Sequence, residues 1–203
     1  ISGIFFLYIA SLLGDEDYGH VSYLFASANM IGTIALLGSK DVLIVFRAKD
    51  VKIQSTIFLI VVLASIICAI GSYFFIESTI VSIYIIGIVI FSLTISETLG
   101  VKNFKRYSLF VILQRVLGIS LAVGFYFVIG LEGIILGYAI GYIPFGILGF
   151  VSCKNTPINF QMIKTRKKFM INSYAKSLMK TFVGQLDKIV IFPLIGAALL
   201  GNY

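Results

Sequence analysis

"STIFLIVVLASIICAIGSYFFI", residues 55–76, carries no charged side chain and is long enough to cross a hydrocarbon core, which takes about 20 residues of helix. "LFVILQRVLGISLAVGFYFVIG", 109–130, repeats the pattern with a single arginine. The rest of the chain is of the same kind. Of 203 residues 59% are hydrophobic and 12% charged, and the mean hydropathy is +1.04. A soluble domain carries about 25% charged residues, so this chain cannot cover a water-facing surface. A soluble helical core of this length would show polar faces, and they are almost lacking. The sequence predicts an all-α polytopic membrane bundle.

Six or seven spans can be placed from the apolar runs. They cover about 1–13, 20–38 (with an amphipathic extension through 46), 54–76, 79–99, 107–129, 131–152 and, after a polar linker with Pro157, 169–196. The charges between them alternate. "GDEDYGH" (14–20) has three acids and no Lys or Arg, and the next connection has Lys40, Arg47, Lys49 and Lys52. Glu77 stands alone, then come Lys102, Lys105 and Arg106; Glu132 stands alone, then come Lys154, Lys164, Arg166, Lys167 and Lys168. Under the positive-inside rule the start of the chain is cytoplasmic and 14–20 lies outside. The net charge of +7 is then that of inner loops near anionic lipid, and no nucleic acid is needed to explain it.

"IASLLGDEDYG" (9–19) and "AALLGNY" (197–203) share Leu-Leu-Gly followed shortly by Tyr. Six spans separate the two, so the second copy restarts in the orientation of the first, as in a transporter built from parallel repeats. The expected organisation is a transmembrane lobe over 1–153, a cytoplasmic linker over 154–168, and the first helix of a second lobe over 169–203. Both ends read as cut, with the remainder of the second lobe expected as a partner from the same chain.

Ionisable groups inside spans mark functional positions, because a charge in hydrocarbon costs several kcal/mol unless it meets a cavity or a partner. Glu97, near the end of the fourth span, is a snorkelling end residue or a partner of Arg115. Arg115 lies about two turns into the fifth. In "SLMKTFVGQLDKIVIFPLIG" (177–196), Lys180 follows Lys176 by four residues and shares its face. Asp187 lies seven after Lys180, about 10 Å along a helix, and Lys188 points about 100° away from it. That arrangement suits a helix lining a wet path. Gly133, Gly137 and Gly141 repeat every four residues, a stripe that allows close helix contact. Cys68 and Cys153 stand in separate segments and read as packing residues. With His20 the single histidine, and no phosphate loop, zinc cluster or nucleophile triad, neither a cofactor nor a metal site is expected, and a solute carrier outranks an enzyme.

Three stretches carry a resemblance: "LLGDEDYG" (12–19), "LLGSKDVLIVFRAKD" (36–50) and "SLMKTFVGQLDKIVIFPLIGAALLGNY" (177–203). The chain resembles the N-terminal half of the multidrug/oligosaccharidyl-lipid/polysaccharide flippase superfamily, in its polysaccharide-export, O-antigen-flippase-like branch. The resemblance implies one six-helix lobe plus the first helix of a second. The cell-membrane protein it belongs to would flip a lipid-linked glycan from the cytoplasmic to the outer leaflet by alternating access. Basic cavity residues would hold the phosphate or pyrophosphate that joins lipid to sugar. The candidates are Arg47, Arg115, Lys176, Lys180 and Lys188 with Asp187, and the acids available for ion coupling are Glu97 and Asp187. The alternatives are a cation-coupled multidrug exporter of the same superfamily and a membrane-embedded glycan-processing enzyme. The first would depend on intramembrane acids and the second on an acidic cluster such as "GDEDYGH".

Overall fold

The computed structural model describes residues 2–154, 156–164 and 166–195, the side chains of 2–7, 162, 186–188 and 191–195 excepted. Among the described residues ten helices follow one another with short turns: α1 (Ser2–Leu13), α2 (Asp15–Ala35), α3 (Ser39–Arg47), α4 (Gln54–Ile76), α5 (Thr79–Gly100), α6 (Phe104–Ile129), α7 (Leu131–Gly141), α8 (Ile143–Cys153), α9 (Phe160–Lys164) and α10 (Lys167–Ile195). Among the described residues there is no strand. Gln54–Ile76, Thr79–Gly100, Phe104–Ile129 and Leu131–Cys153 are each long and apolar enough to span a membrane. Their outward faces are hydrocarbon-like, with Phe75 90% exposed and Val128 80%. An apolar surface of that extent belongs in lipid.

α5 is the axis of the bundle. It packs against α2, α3, α4, α6, α7 and α8. Val81, Ile85, Val89 and Leu93, four apart along it, are fully buried, so one stripe of the helix faces protein along its length. Its hydroxyls turn back on its own carbonyls: Thr94 donates to Ile90 O at 2.9 Å, Ser96 to Ser92 O at 2.7 Å and Thr98 to Thr94 O at 2.8 Å. That satisfies them where no water reaches. Around α5 a layer of rings (Phe25, Tyr84, Tyr138, Tyr142, Phe91 and Phe145), edge-on except for the tilted Phe91–Tyr142 pair, ties α2 to α7 and α8.

α6 and α7 meet backbone to backbone. A Cβ placed on Gly137 would collide with the main chain of Leu121 and Ala122, and one on Gly133 with Phe125. On Gly141 it would stand 3.1 Å from the Cα of Gly118. The stripe of glycines four apart is the α6 contact surface, and any side chain there would push the helices apart.

The expected spans differ from the helices in three places. "GDEDYGH", expected as an outer loop with a capping role, is not a loop: only Gly14 stands outside helix, and α2 begins at Asp15. Asp15, Glu16 and Asp17 occupy its first turn, where carboxylates complement the positive end of the helix dipole. The second span does not continue smoothly into its amphipathic extension either. α2 and α3 meet at 53° across residues 36–38, where Leu37 (φ 49°) and Gly38 (φ 71°) both have left-handed backbone. The sixth span is two helices, because Pro144 lacks the amide that would continue the ladder and instead occupies the first turn of α8.

At one end of the bundle α3, the start of α4, the ends of α5 and α8, and the start of α10 converge. Ser55 bonds the carbonyl of Cys153 at 2.8 Å and the hydroxyl of Thr156, and the Asn159 amide donates to Thr56 Oγ1 at 2.9 Å. The Phe46 ring meets Phe169 at 5.7 Å and lies 4.7 Å beneath the Arg166 guanidinium. This is the end that carries the basic connections. α10 is long but charged, and is not among the helices apolar enough to span on composition. It packs instead along α2 and α3. The second copy of the Leu-Leu-Gly motif, 197–203, lies outside the described residues.

A lysine-lined cavity between α2, α3, α5 and α10

α10 comes nearest to the bundle at the break between α2 and α3. A Cβ on Gly38 would stand 2.6 Å from the Tyr174 amide nitrogen and 2.8 Å from the Met170 carbonyl oxygen. Only glycine suits both this approach and the left-handed backbone. Buried Ser173 fixes the contact: its hydroxyl is 3.1 Å from Gly38 O and 2.9 Å from Asp41 Oδ2. Two turns further, Thr181 Oγ1 reaches Thr33 Oγ1 at 3.2 Å.

Between these attachment points the helices stand apart around a cavity of about 580 Å³. α2 lines it with Asn29, Gly32 and Thr33, one face of the helix, and Leu36 at its C-cap continues that face. α10 lines it with Lys176, Ser177, Lys180, Thr181 and Gly184, again one face. Ile88 and Ser92 of α5 form the back, and Lys40 and Asp41 of α3 close one end. The space is open at Gly184, which has nothing within 4 Å of where a Cβ would be, whereas a Cβ on Gly32 would stand 3.3 Å from Ile88 Cγ2, so Gly32 lets α2 close on α5 at the back. A second cavity of about 350 Å³ adjoins it, lined by Asp41, Ile44, Phe169, Ser173 and Lys176, so Asp41 and Lys176 stand in the wall between the two.

The charge in the main cavity is one-sided: three ammonium groups, from Lys40, Lys176 and Lys180, and one carboxylate, from Asp41. Lys40 is within electrostatic reach of both Asp41 and Lys180. Lys176 and Lys180 are one turn apart on α10, about 6 Å along its axis. Two of these lysines belong to the candidates read from the sequence. Lys40, Asp41 and Asn29 do not, although "LLGSK" already held the signal: a Gly-containing break in an apolar run followed by a cation.

The other candidates lie elsewhere. Arg47 forms an ion pair with Glu97 across α3 and α5, Nη2 to Oε1 at 3.8 Å, with the two side chains 16% and 9% exposed. Glu97 therefore meets Arg47 and not Arg115. The close fit of α3 on the end of α5 sets this pairing, since a Cβ on Gly100 would come within 2.6 Å of Arg47 Cβ. Arg115 points among tyrosines, beside Tyr138 and Tyr142, next to the buried Gln114. Asp187 and Lys188 are on α10, but their side chains lie outside the described residues. Cys68 and Cys153 are free and pack on the cluster around Leu43, Ile57 and Leu93. Among the described residues no group of three His, Cys, Asp or Glu comes together that could hold a metal ion.

No family model, curated protein or solved structure matches the chain.

Proposed function

We propose that this chain is part of a membrane transporter that moves a lipid-linked glycan from the cytoplasmic to the outer leaflet, and that the α2–α3–α5–α10 cavity receives the phosphate or pyrophosphate joining lipid to sugar. The observation that carries the reading is the convergence of Lys40, Lys176 and Lys180 on one cavity in a chain otherwise built for lipid. A phosphate crosses hydrocarbon only where its charge is matched in a wet groove. Three flexible ammonium groups supply that match as point charges, without the fixed fork geometry of arginine. On the opposite wall the second N–H of the Asn29 amide and the Ser92 hydroxyl offer hydrogen bonds to sugar or phosphate oxygens.

Under the positive-inside rule the basic end of the bundle is cytoplasmic, so the cavity begins near the inner surface and extends along α10 towards mid-membrane. No bond need be made or broken for this task, and the reading is of a carrier. The pairing of Glu97 with Arg47 favours an anionic cargo over cation-coupled export, since it occupies one of the two acids, Glu97 and Asp187, that coupling would use. The test is the leaflet distribution of lipid-linked glycan in cells whose only flippase is the full-length protein. Lys180→Gln should insert and fold normally yet leave glycan on the cytoplasmic face, with translocation reduced about tenfold or more. Normal translocation by Lys176→Gln, Lys180→Gln and Lys40→Gln together would reject the reading.

A further inference from the structure

The cavity holds a carboxylate that should, by ordinary electrostatics, already be paired. Asp41 shares the space with three lysines, yet among the described residues none of them closes an ion pair with it. Its Oδ2 instead accepts a hydrogen bond from the Ser173 hydroxyl at 2.9 Å, and the same hydroxyl contacts Gly38 O. Ser173 is buried, 6% exposed, on the part of α10 pressed against the left-handed Gly38. The carboxylate is thus held in the wall between the two cavities, bonded to a neutral donor, near Lys40 but short of an ion pair with any of the three lysines.

We propose that Asp41 is a built-in competitor for the lysines, parked by Ser173, and that it sets how tightly the cavity holds a phosphate and how readily it lets go. This deepens the transport reading and rests on it for the identity of the cargo. While α10 is seated on Gly38, Ser173 holds Asp41 aside and the lysines bind the anion. When α10 moves relative to α3, Ser173 leaves with it, the carboxylate is freed, and it takes the ammonium groups from the phosphate. The step is an exchange of ion pairs. No proton or bond changes hands, and the two anions compete for the same charges.

The geometry gives opposite signs for two variants at one hydrogen bond. Asp41→Asn removes the competitor but keeps an acceptor for Ser173, so inorganic pyrophosphate should bind about three- to tenfold more tightly. Ser173→Ala releases the carboxylate and should weaken binding by a similar factor, whereas Ser173→Thr, which keeps the hydroxyl, should restore most of it. The experiment titrates sodium pyrophosphate into the purified full-length protein in nanodiscs, by calorimetry, with chromatographic homogeneity and helical content checked for each variant. Tighter binding by Asp41→Asn with weaker binding by Ser173→Ala supports the competitor. Unchanged or weaker binding by Asp41→Asn, or no detectable pyrophosphate binding by the wild type, overturns it. Should Asp41→Asn fail to fold, the Ser173→Ala and Ser173→Thr pair decides, and equal affinities would sink the proposal. The two readings fail separately: these shifts without glycan translocation reject the transport reading alone, and translocation without these shifts rejects the competitor alone.

Discussion

Two seams of this bundle are built from the same kind of residue and do opposite things. Where α6 meets α7, glycines four apart let main chain lie on main chain, and Gly133 and Gly137 leave no volume for even a methyl group. Where α10 meets α2 and α3, one glycine, Gly38, makes a comparably close approach. Beyond it the helices are joined by single hydroxyl contacts at Ser173 and Thr181. Small residues in the first seam abolish space, and in the second, Gly184 faces open volume. The difference lies in what faces them. A stripe opposite another helix's backbone closes up, whereas the α10 face carries Lys176 and Lys180 towards Lys40 of α3, and like charges resist being brought together.

The two seams should respond differently to substitution. Gly137→Leu forces α7 off the Leu121–Ala122 backbone and should cost more than about 3 kcal/mol. The expected result is loss of monodisperse protein on detergent extraction, and a variant extracted with unchanged thermal stability would break the comparison. Gly38→Ala adds a Cβ where backbone approaches and φ is left-handed, a cost of about 2 kcal/mol, read as a lower midpoint in a thermal melt. This variant should also impair transport more than its stability predicts, because it unseats Ser173. Thr181→Val removes one hydroxyl contact to Thr33 and should shift stability by less than about 1 kcal/mol. A Thr181→Val effect as large as that of Gly137→Leu would mean that the α10 seam is as rigid as the other.

Much of this architecture is legible in the sequence. Residues 54–76 were bounded by an uninterrupted apolar run, and the helix occupies that range. The glycine stripe at 133, 137 and 141 announced a close helix contact by its spacing. The signals that failed are those in which two codes overlap. "GDEDYGH" reads as a loop by composition, but three acids are also what a helix N-terminus favours, and the helix begins at the first of them. In the candidate site, Lys176 and Lys180 stand out because they interrupt a long segment on one face. Lys40 was hidden among the cations of a basic connection, where a plain orientation role explains it equally well. Its place in the cavity depends on the 53° turn between α2 and α3, a tertiary feature that periodicity does not carry. The pairing of Arg47 with Glu97 was out of reach for the same reason, since it joins residues fifty apart through the fit of α3 on Gly100.

The most direct measurement is lysine footprinting. The full-length protein in nanodiscs is treated with an amine-acylating reagent, with and without a short-chain pyrophosphate-linked glycolipid, and labelling at each lysine is read by mass spectrometry. The account predicts joint protection of Lys40, Lys176 and Lys180 by the glycolipid, with Lys154 and Lys164 labelled as before. Equal labelling of the three cavity lysines in both conditions, or protection spread evenly over every basic connection, would contradict it.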